Sequence, residues 1–343
     1  MPAFAFRKLR QLSALLGNSN RLSPTIYEFV RPEFDCLSEG IGHLFGGDLS
    51  GPSWVLCTCK DCQRKAGESD HTALPGRNPL DDARPYEVNR GHTDAVHTRS
   101  IGRVERVIER QGVATEQRMK DLVAALTEAR EEFHKISVRN FHKRPLIGVV
   151  GEIFCRLTSF TNDFTIRKIE EFGGECTLAH IVEWVWYTNL EHKKRLQHSG
   201  QMFTKAMLVA NIKNHIQHKD EHRLYRVFEE DFRGYEEPPI TRLFDYSDPY
   251  LPHEGSLGEM TLSVGKAVFH YHQGCDGVVD ISPFTCMNGI VTEAIYPKVS
   301  ADHEDIPIRN FFFDGTQTDL DRDVGIFMEL ARTYQARKKR PRP

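Results

Sequence analysis

Short β-branched runs alternate along this chain with stretches whose apolar residues recur at helical spacing. Leu146-Ile-Gly-Val-Val150 and the run Val278, Val279, Ile281 are near-continuous apolar segments, the pattern of parallel strands buried on both faces. Ser53-Trp-Val-Leu56, Glu175 to Leu178 and Ile308 to Phe313 repeat the signal. Helical spacing predicts helices over residues 5–16, 162–172, 201–233, 257–273 and 319–337. A further helix follows Pro283 on Ile290 and Ala294 and is expected to end at Pro297. Residues 102–136 read as charged and helical, with one apolar stripe through Val104, Val107, Ile108, Met119, Leu122, Val123 and Leu126. Residues 153–161 read as a loop, and 67–100, rich in Gly, Pro, Asp, His and Arg, as a long loop. The alternation predicts an α/β protein with parallel sheets. Arg144-Pro145 divides it into an amino-terminal domain over 1–143 and a carboxyl-terminal domain over 144–337. The first is shortened, because no strand precedes its opening helix. The basic residues 338–343 are expected to form a solvated tail.

A length of 343 residues suffices for two such cores, and a net charge of −3 gives no global reason to expect nucleic acid or a membrane surface. No apolar run is long enough to span a bilayer, and the first residues lack a signal-peptide pattern, so the cytoplasm is the expected compartment. Eight cysteines are too few for a disulfide scaffold, yet three crowd into Cys57-Thr-Cys59-Lys-Asp-Cys62. In a reducing compartment such crowding points to metal or redox chemistry.

The candidate chemistry gathers where strands end. Cys286 falls in the turn between a strand's carboxyl end and a helix's amino end, where open α/β sheets bind ligands and free N–H groups favour a thiolate. Cys59 and Cys62 also follow a strand candidate, and Cys36 follows Pro32-Glu-Phe-Asp35. The Cys-x-x-Cys spacing is shared by iron–sulfur, zinc and thioredoxin-like sites, and structural cysteines are the remaining reading. Only a cluster gives Cys36 and Cys286 a common role with that pair. Glu152 and Arg156, after the strand at 146–150, face the same edge and are the candidate catalytic groups. Asn162 and Asp163 fit helix capping, Cys176 and Cys275 fit burial, and Cys155 is a weaker candidate ligand. The pairs His215/His218 and His270/His272 are expected to be exposed. Gly265-Lys266 is followed by Ala267, which lacks the hydroxyl of a phosphate-binding loop, so no ATP site is read here.

These stretches resemble the 2-hydroxyacyl-CoA dehydratase and benzoyl-CoA reductase superfamily, in its branch related to CoA-substrate-specific enzyme activases and double-cubane proteins. The resemblance rests on Pro32-Glu-Phe-Asp-Cys36-Leu37, Cys59-x-x-Cys62, Ile147-Gly-Val-Val-Gly-Glu152, Asn162-Asp163, Glu183-Trp184 and Gly258-Glu259. It continues through Leu262-Ser-Val-Gly-Lys-Ala267, Asp276-Gly-Val-Val, Pro283-Phe-Thr-Cys286-Met and Phe313-Asp-Gly315. It implies two flavodoxin-like (Rossmann-like), three-layer domains holding a [4Fe–4S] or double-cubane cluster through Cys36, Cys59 (or Cys62) and Cys286. It also implies a homologous subunit as partner, and a separate actin-like ATPase activator, carrying its own cluster, that delivers single electrons for a CoA thioester substrate. The chain departs from that pattern at Lys60-Asp61, where the family usually has Gly-Pro, and in its missing first strand. A non-catalytic cluster-carrying subunit and a zinc-stabilised structural protein are the alternatives.

Overall fold

The computed structural model describes residues 83–139, 144–232, 236–255, 258–315 and 319–342. Its helices α1 (His92–Ile108) and α2 (Thr115–His134) precede the first strand, β1 (Leu146–Gly151). A short α3 (Ile153–Leu157) and α4 (Thr165–Glu171) then lead to β2 (Glu175–Leu178). Four helices follow: α5 (Ile181–His198), α6 (Lys205–Tyr225), α7 (Ile240–Ser247) and α8 (Met260–His272). The chain closes through β3 (Gly277–Pro283), α9 (Met287–Asp302), β4 (Ile308–Phe313) and α10 (Leu320–Arg337).

The strands form one all-parallel sheet in the order β2-β1-β3-β4. This is the α/β architecture the alternation predicts. Side chains alternate across it: Ile147, Val149, Val279 and Ile281 pack against α4 and α10, whereas Val150 and Val278 pack against α8 and α9. The sheet is thus the middle of three layers. The chain leaves β1 for β2 on one side and returns to β3 on the other, so the carboxyl ends of β1 and β3 flank a topological switch point. Gly151 makes the exit from β1 there. Its φ is +120°, and a Cβ would come within 2.1 Å of the Ile281 carbonyl oxygen.

Several expectations change. The first of the two implied flavodoxin-like domains falls largely outside the described residues, as do Cys36, Cys59 and Cys62. Residues 92–100, expected in a loop, belong to α1, whose buried positions Thr93, Val96, Ser100 and Val104 are half polar and carry little apolar signal. The stripe predicted over 102–136 is real: all seven of its residues share a core with Leu224, Phe228 and Phe232. Pro297 does not end α9, which runs to Asp302 with Tyr296 and Val299 buried against the sheet. Its buried face is Asn288, Gly289, Thr292, Tyr296 and Val299, while Ile290 and Ala294 are exposed. A proline removes one N–H and strains the preceding turn, and burial of that face outweighs this. The basic tail is no free end either. Lys338 Nζ lies 2.6 Å from Asp276 Oδ1, and Arg342 Nη1 donates to Glu175 Oε2 at 2.8 Å.

Candidate functional site

The turn from β1 into α3 is held by two glutamates. Glu152 accepts from the Phe154 and Cys155 N–H groups at 3.0 and 2.8 Å, capping α3, and its own N–H donates to the Ile281 carbonyl at 2.9 Å. Glu259, just ahead of α8, accepts from Ile153 N–H at 2.8 Å. The first-turn N–H groups of α3 are therefore satisfied from within. Asn162, buried, donates to the Cys155 and Arg156 carbonyls at 2.8 and 3.2 Å and accepts from Thr165 N–H. Its work is to hold this turn, beyond the simple capping expected of it.

The turn presents Arg156. The residue is 7% exposed, and among the described residues its Nε has no hydrogen-bond partner. A buried guanidinium N–H left unpaired is costly and marks a place where an acceptor would fit. Burial raises the pKa of Glu259, Glu183 and Asp280, and the positive charge of Arg156 opposes that rise at each. Burial dominates at Glu259 nevertheless: against Arg156, and with Glu152 adding to it, it pushes the Glu259 carboxyl up to about 7. A carboxyl of that strength can give or take a proton near neutrality.

Cys286 stands across the switch point as the N-cap residue of α9, half-buried and making no side-chain capping bond. Thr285 before it has φ +70°, an outlier for a β-branched residue costing about 1–3 kcal/mol. The turn is braced from below. Tyr296 donates to Asp280 at 2.6 Å, Ser282 to Asp280 at 3.1 Å, and Asn288 to Ser282 at 3.3 Å. Beside the thiol along the chain the surface is apolar and open: Phe284 is 61% exposed and Met287 56%. Cys155 is close enough for charge on Cys286 to raise its pKa, but it is 1% exposed, and burial holds its thiol far above the usual range. Its Sγ donates weakly to the Thr161 carbonyl at 4.0 Å. Cys176 and Cys275 are buried as expected.

The structure thus brings Cys286, Glu152 and Arg156 to one edge of the sheet. It adds Glu259, which sequence reasoning did not single out beyond its place in a family stretch. It adds also a buried ion cluster: Lys266 pairs with both Glu183 and Glu237, and His180 Nε2 lies 3.5 Å from Glu237. His270, expected at the surface, is instead 2% exposed with its ring against Gly148, where a Cβ would come within 2.4 Å of it. Burial and the Lys266 charge push His270 well down, and His180 to about 3, so neither is charged at neutral pH. Among the described residues no three His, Cys, Asp or Glu side chains meet as a metal-ion site, and no helix is long and apolar enough to cross a membrane. Compared with family models, curated proteins and solved structures, the chain matches none.

Glu259 makes a prediction about pH. Its folded pKa, about 7, lies above its ordinary 4.5, so the folded state keeps a proton that the unfolded chain releases. Its contribution to stability is full below about pH 4.5 and is lost as pH rises to about 7. Glu259→Gln should remove that loss. The variant should gain up to about 3 kcal/mol on the wild type between pH 4.5 and 7, at about 1.36 kcal/mol per pKa unit. Denaturant titrations across this range test it, and parallel curves for the two proteins would refute the protonated Glu259.

Proposed function

We propose that the protein is the iron–sulfur component of a low-potential electron-transfer system of the 2-hydroxyacyl-CoA dehydratase type. Cys286 is one thiolate ligand in this reading, and Cys36 with Cys59 or Cys62 supplies the others. The observation that carries it is the strained, braced turn that holds Cys286 half-open at the switch point, on the same sheet edge as Arg156, whose Nε has no partner among the described residues. The described residues fit a ligand at 286: the thiol is half-buried, makes no competing capping bond, and has the exposed apolar side chains of Phe284 and Met287 as chain neighbours. Cys155 does not fit, since burial keeps it a thiol. When bound, a cubane supplies one-electron chemistry and, with three protein thiolates, an open iron.

The remaining roles belong to side chains of this chain. Arg156 receives an oxygen or carboxylate of the substrate, a CoA thioester in the family reading, and its buried charge favours negative charge developing there. Glu259 holds or moves a proton beside it. Glu152, committed to capping α3, positions Arg156 rather than touching substrate. An actin-like ATPase activator and a homologous subunit are the partners this reading requires.

Iron and acid-labile sulfide analysis after anaerobic purification tests the proposal. About four iron per cubane are expected, with Cys286→Ala losing most of the iron and Cys155→Ala keeping it. Less than about one iron per chain, or full iron in Cys286→Ala, would overturn it. With reductant present, a spectral change on adding a CoA thioester identifies the electron-donating component, and an unchanged spectrum a cluster carrier.

A further inference from the structure

A second feature lies apart from the Cys286 turn. Helices α5 and α6 and the segment 237–241 enclose a cavity of about 460 Å³, within the roughly 300–1,000 Å³ of small-molecule sites. Its charge is one-sided. Glu183, Glu221 and Glu237 line it, and among the described residues no lysine or arginine does. Lys266, behind the wall, pairs with Glu183 and Glu237, and among the described residues Glu221 has no lysine or arginine partner. The two lining imidazoles do not compensate. His180 is held neutral, and burial, with Lys193 and His215 nearby, pushes His218 down.

Glu221 is set up in a particular way. It accepts from the Trp186 indole N–H at 3.2 Å, and His218 Nδ1 lies 3.6 Å from its other oxygen. The His218 ring stacks on Trp186 at 3.7 Å between centroids, fixing the indole in the wall. Burial and the charge of Glu237 both raise the Glu221 pKa, so the pocket carries a repulsion that a bound cation would relieve. Tyr225 adds an independent observation: its hydroxyl, buried in the same wall, has no hydrogen-bond partner among the described residues. An unsatisfied buried hydroxyl costs free energy unless something enters to pair with it.

We propose that this cavity binds a small organic ammonium ion, its nitrogen between Glu221 and Glu237 and its apolar body against Trp186 and Leu190. The ammonium donates to the carboxylates and to the Tyr225 oxygen, which uses the three donors of a primary amine. The indole face attracts the cation and covers the hydrocarbon. Neutral or acidic molecules of the same shape lack that attraction, and an acid would meet the carboxylates' repulsion. The inference does not depend on an iron–sulfur cluster, and its test can be run on iron-free full-length chain.

The probe is phenethylamine, compared with neutral 2-phenylethanol and anionic phenylacetate by calorimetry and tryptophan fluorescence. The amine should saturate and bind at least about tenfold more tightly than either comparator, about 1.4 kcal/mol. Glu221→Gln, of the same shape, should weaken it by at least about tenfold. Tyr225→Phe, which removes one oxygen, should weaken it several-fold and serves if Glu221→Gln does not fold. Trp186→Phe should abolish the fluorescence change, locating the site. No saturation by about 10 mM amine, equal binding of the alcohol, or unchanged affinity in both Glu221→Gln and Tyr225→Phe would overturn the proposal.

Discussion

Replacing Lys266 by methionine should destabilise the protein by about 3–5 kcal/mol at neutral pH, the range for removing one member of a buried ion pair. Lys266 is 1% exposed, and its ammonium sits between Glu183, 7% exposed, and Glu237. It also lies 4.8 Å over the Phe269 ring. Burial works against its charge, but the two carboxylates outweigh burial and raise its pKa above the ordinary value. Methionine matches the volume, so cavity terms are small and the loss reports charge left alone in the interior. Glu183, which burial already pushes up against the pull of Lys266, would then take a proton. The deficit should shrink on acidification, and adding Glu183→Gln and Glu237→Gln to Lys266→Met should recover much of it. Denaturant unfolding at pH 7 and pH 5 measures both effects. A loss under about 1 kcal/mol at pH 7 would mean that water reaches the cluster and screens it.

Legibility followed how each element is buried. β1 and β3, buried along their length, were legible nearly to the residue because a strand covered on both faces must be apolar at consecutive positions. The partly exposed edge strands β2 and β4 were placed to the residue between their flanking turns. Helices were legible where one face meets the core, as in α2 and α10. α5 was not. It turns Trp184, Tyr187 and Leu190 toward α7 and α8 and Trp186 toward the cavity, so apolar residues fall on more than one side and the 3.6-residue period blurs. In the stretch read as a helix over 201–233, Met202 is exposed while Met207 is buried, and the helix proper is only Lys205–Tyr225.

The site divides in the same manner. Cys286, Glu152 and Arg156 could be placed because a strand-turn-helix signal and the switch-point rule need only local sequence. The Lys266–Glu183–Glu237 cluster joins three segments far apart in the chain, and no spacing announces it. One local signal was available. Lys266 lies within Val264 to Val268 of α8, a helix buried over most of its length, and a lysine among such residues implies carboxylates elsewhere to receive it.

The second large effect concerns the tail. Truncation after Arg337 should cost about 3–5 kcal/mol, and Arg342→Met alone a large part of that, because both tail cations reach carboxylates with almost no access to water. Glu175, 0% exposed at the start of β2, accepts from Tyr86 Oη at 2.5 Å and from Arg342 Nη1 at 2.8 Å. Asp276, 1% exposed just ahead of β3, accepts from Leu146 N–H at 2.8 Å and pairs with Lys338. Tyr86 stays on Glu175, and the Leu146 N–H and Gln335 stay on Asp276. Since Glu175 and Asp276 flank the amino ends of β2, β1 and β3, the loss of these two cations would act on the sheet itself and not on an appendage. Surface pairs would be screened away by salt, whereas these should lose little between low and high ionic strength. Thermal and denaturant unfolding of the full chain, Arg342→Met and the truncated chain, each at about 0.05 and 0.5 M salt, give the answer. A truncated chain as stable as the full one would mean that the tail merely lies on the surface.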